Sequence, residues 1–144
     1  MFRSIAVLKA LALALLLAVS GCATNESRSL YQDLGGEETI DAVVYDTIVL
    51  IANDHRVVDR FRNVDIERFR QGLADYICSV SGGPCEYTGD SMRTVHAGHN
   101  YTDTEFNAIV ELLIEAMEAN DVPVSAQNRL LAQLAPDYRD IVYH

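Results

Sequence analysis

Four histidines and three cysteines carry most of the chemistry this sequence could do beyond packing: His55, His96, His99 and His144, with Cys22, Cys78 and Cys85. A neutral imidazole is the commonest protein ligand for a metal, and its charge changes near neutral pH. His55 follows Asn53-Asp54 at the end of an apolar-periodic stretch, where a cation would meet the negative end of a helix dipole. His144 is terminal, where order is least expected. His96 and His99 share a glycine-rich segment, Ser81–Tyr101. Cys78 and Cys85 flank Gly82-Gly83-Pro84. A tight turn can bring two such thiols to disulfide distance in an exported protein, the alternative being two separate thiols. No histidine or cysteine pair near them stands at zinc spacing.

The elements that must position these groups read as helices. Glu37–Asn53 places Ile40, Val43, Val44, Thr47, Ile48 and Ile51 at three- and four-residue steps. Asp65–Val80 repeats this with Ile66, Phe69, Leu73, Tyr76, Ile77 and Val80. Thr102–Asn120 does so with Phe106, Ile109, Val110, Leu113, Ala116 and Met117, and Thr102 with Glu105 fits a capping box. A last helix is expected from Ser125 to Ala135, broken at Pro136 and resuming over Asp137–Tyr143. No long alternating run suggests a strand, so the expected class is all-α. Ser81–Tyr101 stands apart as about twenty residues without a long helix, a length that usually signals function.

The first residues are of another kind. Arg3 and Lys9 precede an apolar run, Ala10–Val19, which ends in Ser20-Gly21-Cys22, the pattern of a secretory signal. As a helix that run rises about 15 Å, half of a hydrocarbon core, too little to span it. Val19-Ser20-Gly21-Cys22 also resembles a bacterial lipobox, whose cysteine is acylated and becomes the new N-terminus; the alternative is an ordinary signal peptide that happens to contain a cysteine. The expected organisation is therefore a signal over 1–21, a tether over 22–29 and one domain over 30–144. Several acyl chains would anchor that domain to a membrane. The expected location is the periplasmic face of a bacterial membrane, the outer one favoured because Ala23 rather than Asp follows Cys22. The signal holds two basic residues and none of the 21 acidic ones, so its removal takes the net charge from −10 to −12. A surface this acidic repels nucleic acid and anionic lipid alike, leaving the acyl anchor as the membrane contact.

Read in order, Leu30-Tyr31-Gln32-Asp33-Leu34-Gly35-Gly36, then Phe61, Gly82-Gly83-Pro84, Tyr87-Thr88-Gly89 and Met92-Arg93-Thr94-Val95-His96-Ala97-Gly98 resemble the group 1 truncated haemoglobins. The resemblance runs from Leu30 to about Val142. It implies a two-over-two helical sandwich around haem b (iron protoporphyrin IX), with His96 as the iron's proximal ligand. It also implies that Phe61 packs on the haem face and that Tyr87, Met92, Val95 and Phe106 line the group. Phe69, Leu73, Tyr76 and Ile77 would form the stripe facing it, and His99 would be exposed or beside a propionate. The absence of a Cys-x-x-Cys-His run argues against covalent attachment.

The opposite, distal side departs from the family. Ile48, preceded by Thr47, falls where many members carry a tyrosine, and the usual polar helpers fall on Gly72 and Leu73. Ile48, Thr47, Leu73 and Phe69 thus make a pocket poor in hydrogen-bond donors, unless Thr47, Tyr45 or Tyr76 turns a hydroxyl inward. Ferrous iron is expected to be five-coordinate. The resemblance implies reversible binding of a diatomic gas (oxygen, nitric oxide or carbon monoxide). Alternatives are nitric oxide dioxygenation or peroxidase-like chemistry, the latter normally requiring a distal acid–base group, and electron transfer by a haem lipoprotein whose redox partner the sequence does not name. A globin fold without haem is the blandest option, and the intact run around His96 argues against it.

Overall fold

The computed structural model describes residues 28–143, so the signal, Cys22, most of the tether and His144 lie outside the described residues. Helix α1 (Leu30–Asp33) is a single turn opened by a capping box between Ser29 and Gln32. The chain then swings through Gly35 (φ 96°) and Gly36 (φ 74°) into α2 (Gly36–Asn53). Gly35 is required twice over: its φ is left-handed, and a Cβ there would lie 2.3 Å from the Thr39 hydroxyl. After a 3₁₀ turn at Val58–Phe61 comes α3 (Ile66–Val80), capped by the Asp65 side chain.

Short helix α4 (Met92–His96) lies inside the glycine-rich segment, with Ser91 as its cap. Helix α5 (Asp103–Ala119) begins with the expected Thr102–Glu105 capping box. Helix α6 (Val124–Leu134) gives way to a 3₁₀ turn at Ala135–Asp137, where Pro136 lacks the amide that would continue the ladder. The chain resumes as α7 (Tyr138–Ile141). Among the described residues there is no strand, only an isolated bridge between Tyr101 and Val142. The all-α class holds.

Helix α2 is the centre of the packing, lying against both α3 and α5. The main core gathers Leu30, Leu34, Ile40, Val43, Val44, Ile77, Met117 and Leu130. A second cluster, around Ile51, Val57, Ala108 and Leu112, takes in Phe61, Phe69 and Ile109 at its margin. Fully burying one such aliphatic side chain contributes about 1.5–3 kcal/mol. The sides of α2, α3 and α5 turned to these clusters are therefore set by the apolar spacing of the sequence.

Cys78 and Cys85 form a disulfide with Cα atoms 5.8 Å apart, which settles the alternative left open by the sequence. It staples the end of α3 to the segment leading toward α4. Gly83 sits inside the staple, where a Cβ would meet both the Tyr31 ring and the Cys78 sulfur within 2.6 Å. By loop-closure entropy a bridge over so short a loop stabilises by about 2–3 kcal/mol.

Candidate functional site

His96 is the last residue of α4, and its setting follows from the local sequence. Ser91 opens the helix by accepting the Thr94 amide, and α4 packs on α7. Gly98 (φ 81°) and Asn100 (φ 49°) then turn the chain away from it. The His96 Nδ1 lies 2.7 Å from the Met92 carbonyl oxygen. A carbonyl can only accept, so Nδ1 carries the proton and the ring's other nitrogen, Nε2, keeps its lone pair. Burial pushes the ring's pKa below its ordinary value, against the opposing pull of the Met92 carbonyl. At neutral pH the ring is therefore a neutral imidazole with a basic Nε2, the form that binds a metal.

No group of three or more His, Cys, Asp or Glu that could hold a metal ion occurs among the described residues. His96 alone would not hold a bare ion. It suits a metal that arrives already held by a macrocycle and needs one protein ligand.

The resemblance gives the site an aromatic collar, and several of its rings meet in pairs. The Phe61 and Phe69 rings meet at 5.3 Å, Tyr76 and Tyr87 edge-on at 5.0 Å, and Phe106 and Tyr138 edge-on at 5.1 Å. Leu73 and Met92 are partly buried. Val95 remains 43% exposed. Ile77 is not part of this collar: one position past Tyr76, and so about 100° around α3, it lies in the main core against Met117 and Leu130. A single imidazole whose Nδ1 is committed to Met92 and whose Nε2 is free, with no cluster of further metal ligands among the described residues, fits haem.

The donors considered for the distal side are all committed elsewhere or directed outward. The Thr47 hydroxyl donates to the Val43 carbonyl of its own helix at 2.7 Å. Tyr45 is 60% exposed. The Tyr76 hydroxyl donates to Asp137 at 2.6 Å, and burial with that carboxylate raises its pKa. Ile48 and Leu73 each pack, partly buried, against the main core. His99 is exposed and stacks on Tyr101, while His55 is an exposed residue just beyond the end of α2.

Three residues beside His96, namely Arg60, Tyr101 and Glu105, were not recognisable from the sequence as part of the site. Arg60 donates to both carboxylate oxygens of Glu105, at 2.5 and 2.9 Å, and to the His99 carbonyl at 3.0 Å. Its guanidinium lies 5.1 Å from the centre of the Tyr101 ring, which meets the His96 ring edge-on at 5.6 Å. Glu105 was legible as a capping residue, and that role masked its second one. Bound first by Arg60 and then by Thr102, its carboxyl is held down to about 2. That value lies below the unfolded one, so the pair's contribution is complete above the usual glutamate range, shrinks as pH falls below that range and is lost by about 2.

Comparison with known proteins gives the family and the fold. A family model described as bacterial-like globin matches residues 29–141. The group 1 truncated hemoglobin GlbN of Mycolicibacterium paratuberculosis is 29% identical over 111 residues, covering 77% of this chain and 82% of that protein. The truncated hemoglobin of Tetrahymena pyriformis in its Fe(III) form superposes with a TM-score of 0.78 at 26% identity, covering 81% of this chain and all of that one. The 2/2 hemoglobin of a Synechococcus species, solved in the cyanomet state with covalently attached heme, gives a TM-score of 0.74 at 26% identity over 80% of this chain and 98% of that one. The helices described above are thus those of the two-over-two sandwich.

Proposed function

The chain belongs to the bacterial-like globin family with haem as its cofactor, and from that premise we propose that it reversibly binds a diatomic gas at iron held by His96. One observation carries the reading: the His96 Nδ1 lies 2.7 Å from the Met92 carbonyl, which takes its N–H and leaves Nε2 with the free lone pair. Haem, when bound, supplies the iron at which the gas is held. The chain's own residues do the rest. Met92 fixes the tautomer, and the rings of Phe61, Phe69 and Phe106 keep water from the macrocycle. The resemblance puts Ile48, Gly72 and Leu73 on the opposite side, and none of the three has a side chain that would ligate the iron. The same side supplies no acid–base residue of the kind peroxidase-like chemistry uses.

Visible spectra of the purified protein, ferric and ferrous, with and without carbon monoxide, test this. The expected ferrous spectrum is five-coordinate and shifts on addition of carbon monoxide. Failure to develop a Soret band after haem addition would sink the reading. A six-coordinate ferrous spectrum would replace it with electron transfer.

The exported location belongs to the same proposal and rests on the Val19-Ser20-Gly21-Cys22 run. Cleavage before Cys22 and acylation of its amine and thiol would hold the domain at the periplasmic face of a bacterial membrane, the outer one favoured. Intact-mass measurement of the mature chain should show an acylated Cys22; an uncleaved Met1 or an unmodified Cys22 counts against it.

A further inference from the structure

We infer that Arg60, Glu105 and Tyr101 are positioning residues for the His96 imidazole, a latch tying the turn before Phe61 to the loop that follows His96. The inference rests on His96 being the iron ligand, as proposed above. Its starting point is that α4 needs outside support. A helix of five residues is not stable alone, and the chain leaves it through two left-handed positions, Gly98 and Asn100. The loop residues Ala97 to Asn100 are all exposed, so little apolar burial holds them.

Arg60 supplies the missing anchor from across the site. Its planar fork holds both oxygens of Glu105, a further N–H holds the His99 carbonyl, and its face covers the Tyr101 ring. Glu105 is itself fixed by the Thr102 backbone amide and hydroxyl at 2.9 and 2.8 Å. The Tyr101 carbonyl accepts the Tyr143 amide at 2.9 Å, which ties the strap to the end of the chain. The ring that abuts His96 is therefore held by a cation above it, by His99 stacked on it and by its own backbone. Because Arg60 is charge-matched by Glu105, it acts on His96 through geometry rather than through its field.

The holoprotein carrying Arg60→Gln, Arg60→Lys or Tyr101→Leu tests this by two measurements. One is the rate of haem loss to an excess of a haem-scavenging apoglobin. The other is the iron–histidine stretching band in the resonance Raman spectrum of the ferrous form. Arg60→Gln should lose haem roughly tenfold faster and shift or broaden the band, as changes behind a metal-bound histidine do. Arg60→Lys keeps the charge without the fork and should recover only part of the loss. Tyr101→Leu leaves the ion pair in place, should move the band in the same way, and decides the matter alone if Arg60→Gln does not fold. An unmoved band in Arg60→Gln and Tyr101→Leu, whether haem loss speeds up or not, overturns the latch. Retention of haem by a His96→Ala variant would instead overturn the reading beneath it.

Discussion

His96→Ala should abolish stable haem retention, while His99→Ala leaves it intact. The two residues are three positions apart on one loop, and their surroundings differ in kind. His96 is partly buried, and its Nδ1 is committed to the Met92 carbonyl at 2.7 Å. The His99 side chain is exposed and stacks on Tyr101, and its contact with Arg60 is made by the backbone carbonyl, which an alanine would keep. On the proposed assignment, loss of His96 would remove the one bond from protein to iron and leave only apolar packing against Phe61, Phe69, Leu73 and Phe106. Removing the metal ligand of a single-ligand site leaves no second group to share the load, since no cluster of metal-binding side chains exists among the described residues. The check is a haem titration followed by gel filtration: His96→Ala should elute without a Soret band and the native protein and His99→Ala with one. A smaller variant, His96→Gly, should regain the band when free imidazole is added, because the replaced ring then returns as a ligand in solution. Equal loss of haem from the alanine variants at 96 and 99 would refute the assignment.

What could be read from the sequence followed from distance along the chain. The long helices were legible because their apolar residues repeat every three or four positions, as with Phe106, Ile109, Leu113 and Met117 on α5. The capping box of α5 spans four consecutive residues and was equally legible. Helix α4 was not, since five residues contain too little periodicity to distinguish a turn of helix from a loop. Ile77 was assigned with Phe69, Leu73 and Tyr76 because all four belong to one broad apolar face; the fold divides that face, giving Ile77 to the core. The polar contacts that define the site were the least legible. Arg60 and Glu105 lie 45 residues apart, and Tyr76 and Asp137 lie 61 apart. A charged side chain carries no mark of which distant partner the fold will bring to it. His96 was singled out by a local motif, and its tautomer became clear only once the Met92 carbonyl was in place.

The largest functional effect beyond His96 is expected on the opposite side of the iron, and there a variant should improve one ligand and not another. Bound oxygen is polarised toward its outer atom and is stabilised by a donor, whereas carbon monoxide is much less so. None of the three candidate donors is free: Thr47 is bonded to Val43, Tyr76 to Asp137, and Tyr45 faces outward. Oxygen should therefore dissociate fast from the native protein, with carbon monoxide held comparatively well. Installing a donor tests the argument directly. Leu73→Gln, on the partly buried face of α3, places an amide among Phe69, Tyr76 and the apolar collar. One hydrogen bond to a polarised ligand in such a site contributes about 1–3 kcal/mol, so oxygen dissociation should slow roughly ten- to a hundredfold. Ile48→Tyr should act in the same direction if the larger ring is accommodated beside the main core, where overpacking costs about 1–3 kcal/mol. Flash photolysis and stopped-flow measurement of both gases give the rates, with carbon monoxide as the internal control for general changes in pocket access. Oxygen and carbon monoxide slowing by the same factor would show that the variant had narrowed the entrance rather than supplied a donor. A native oxygen complex already as long-lived as that of Leu73→Gln would show that some group does reach the bound gas, and the account of the distal side would be wrong.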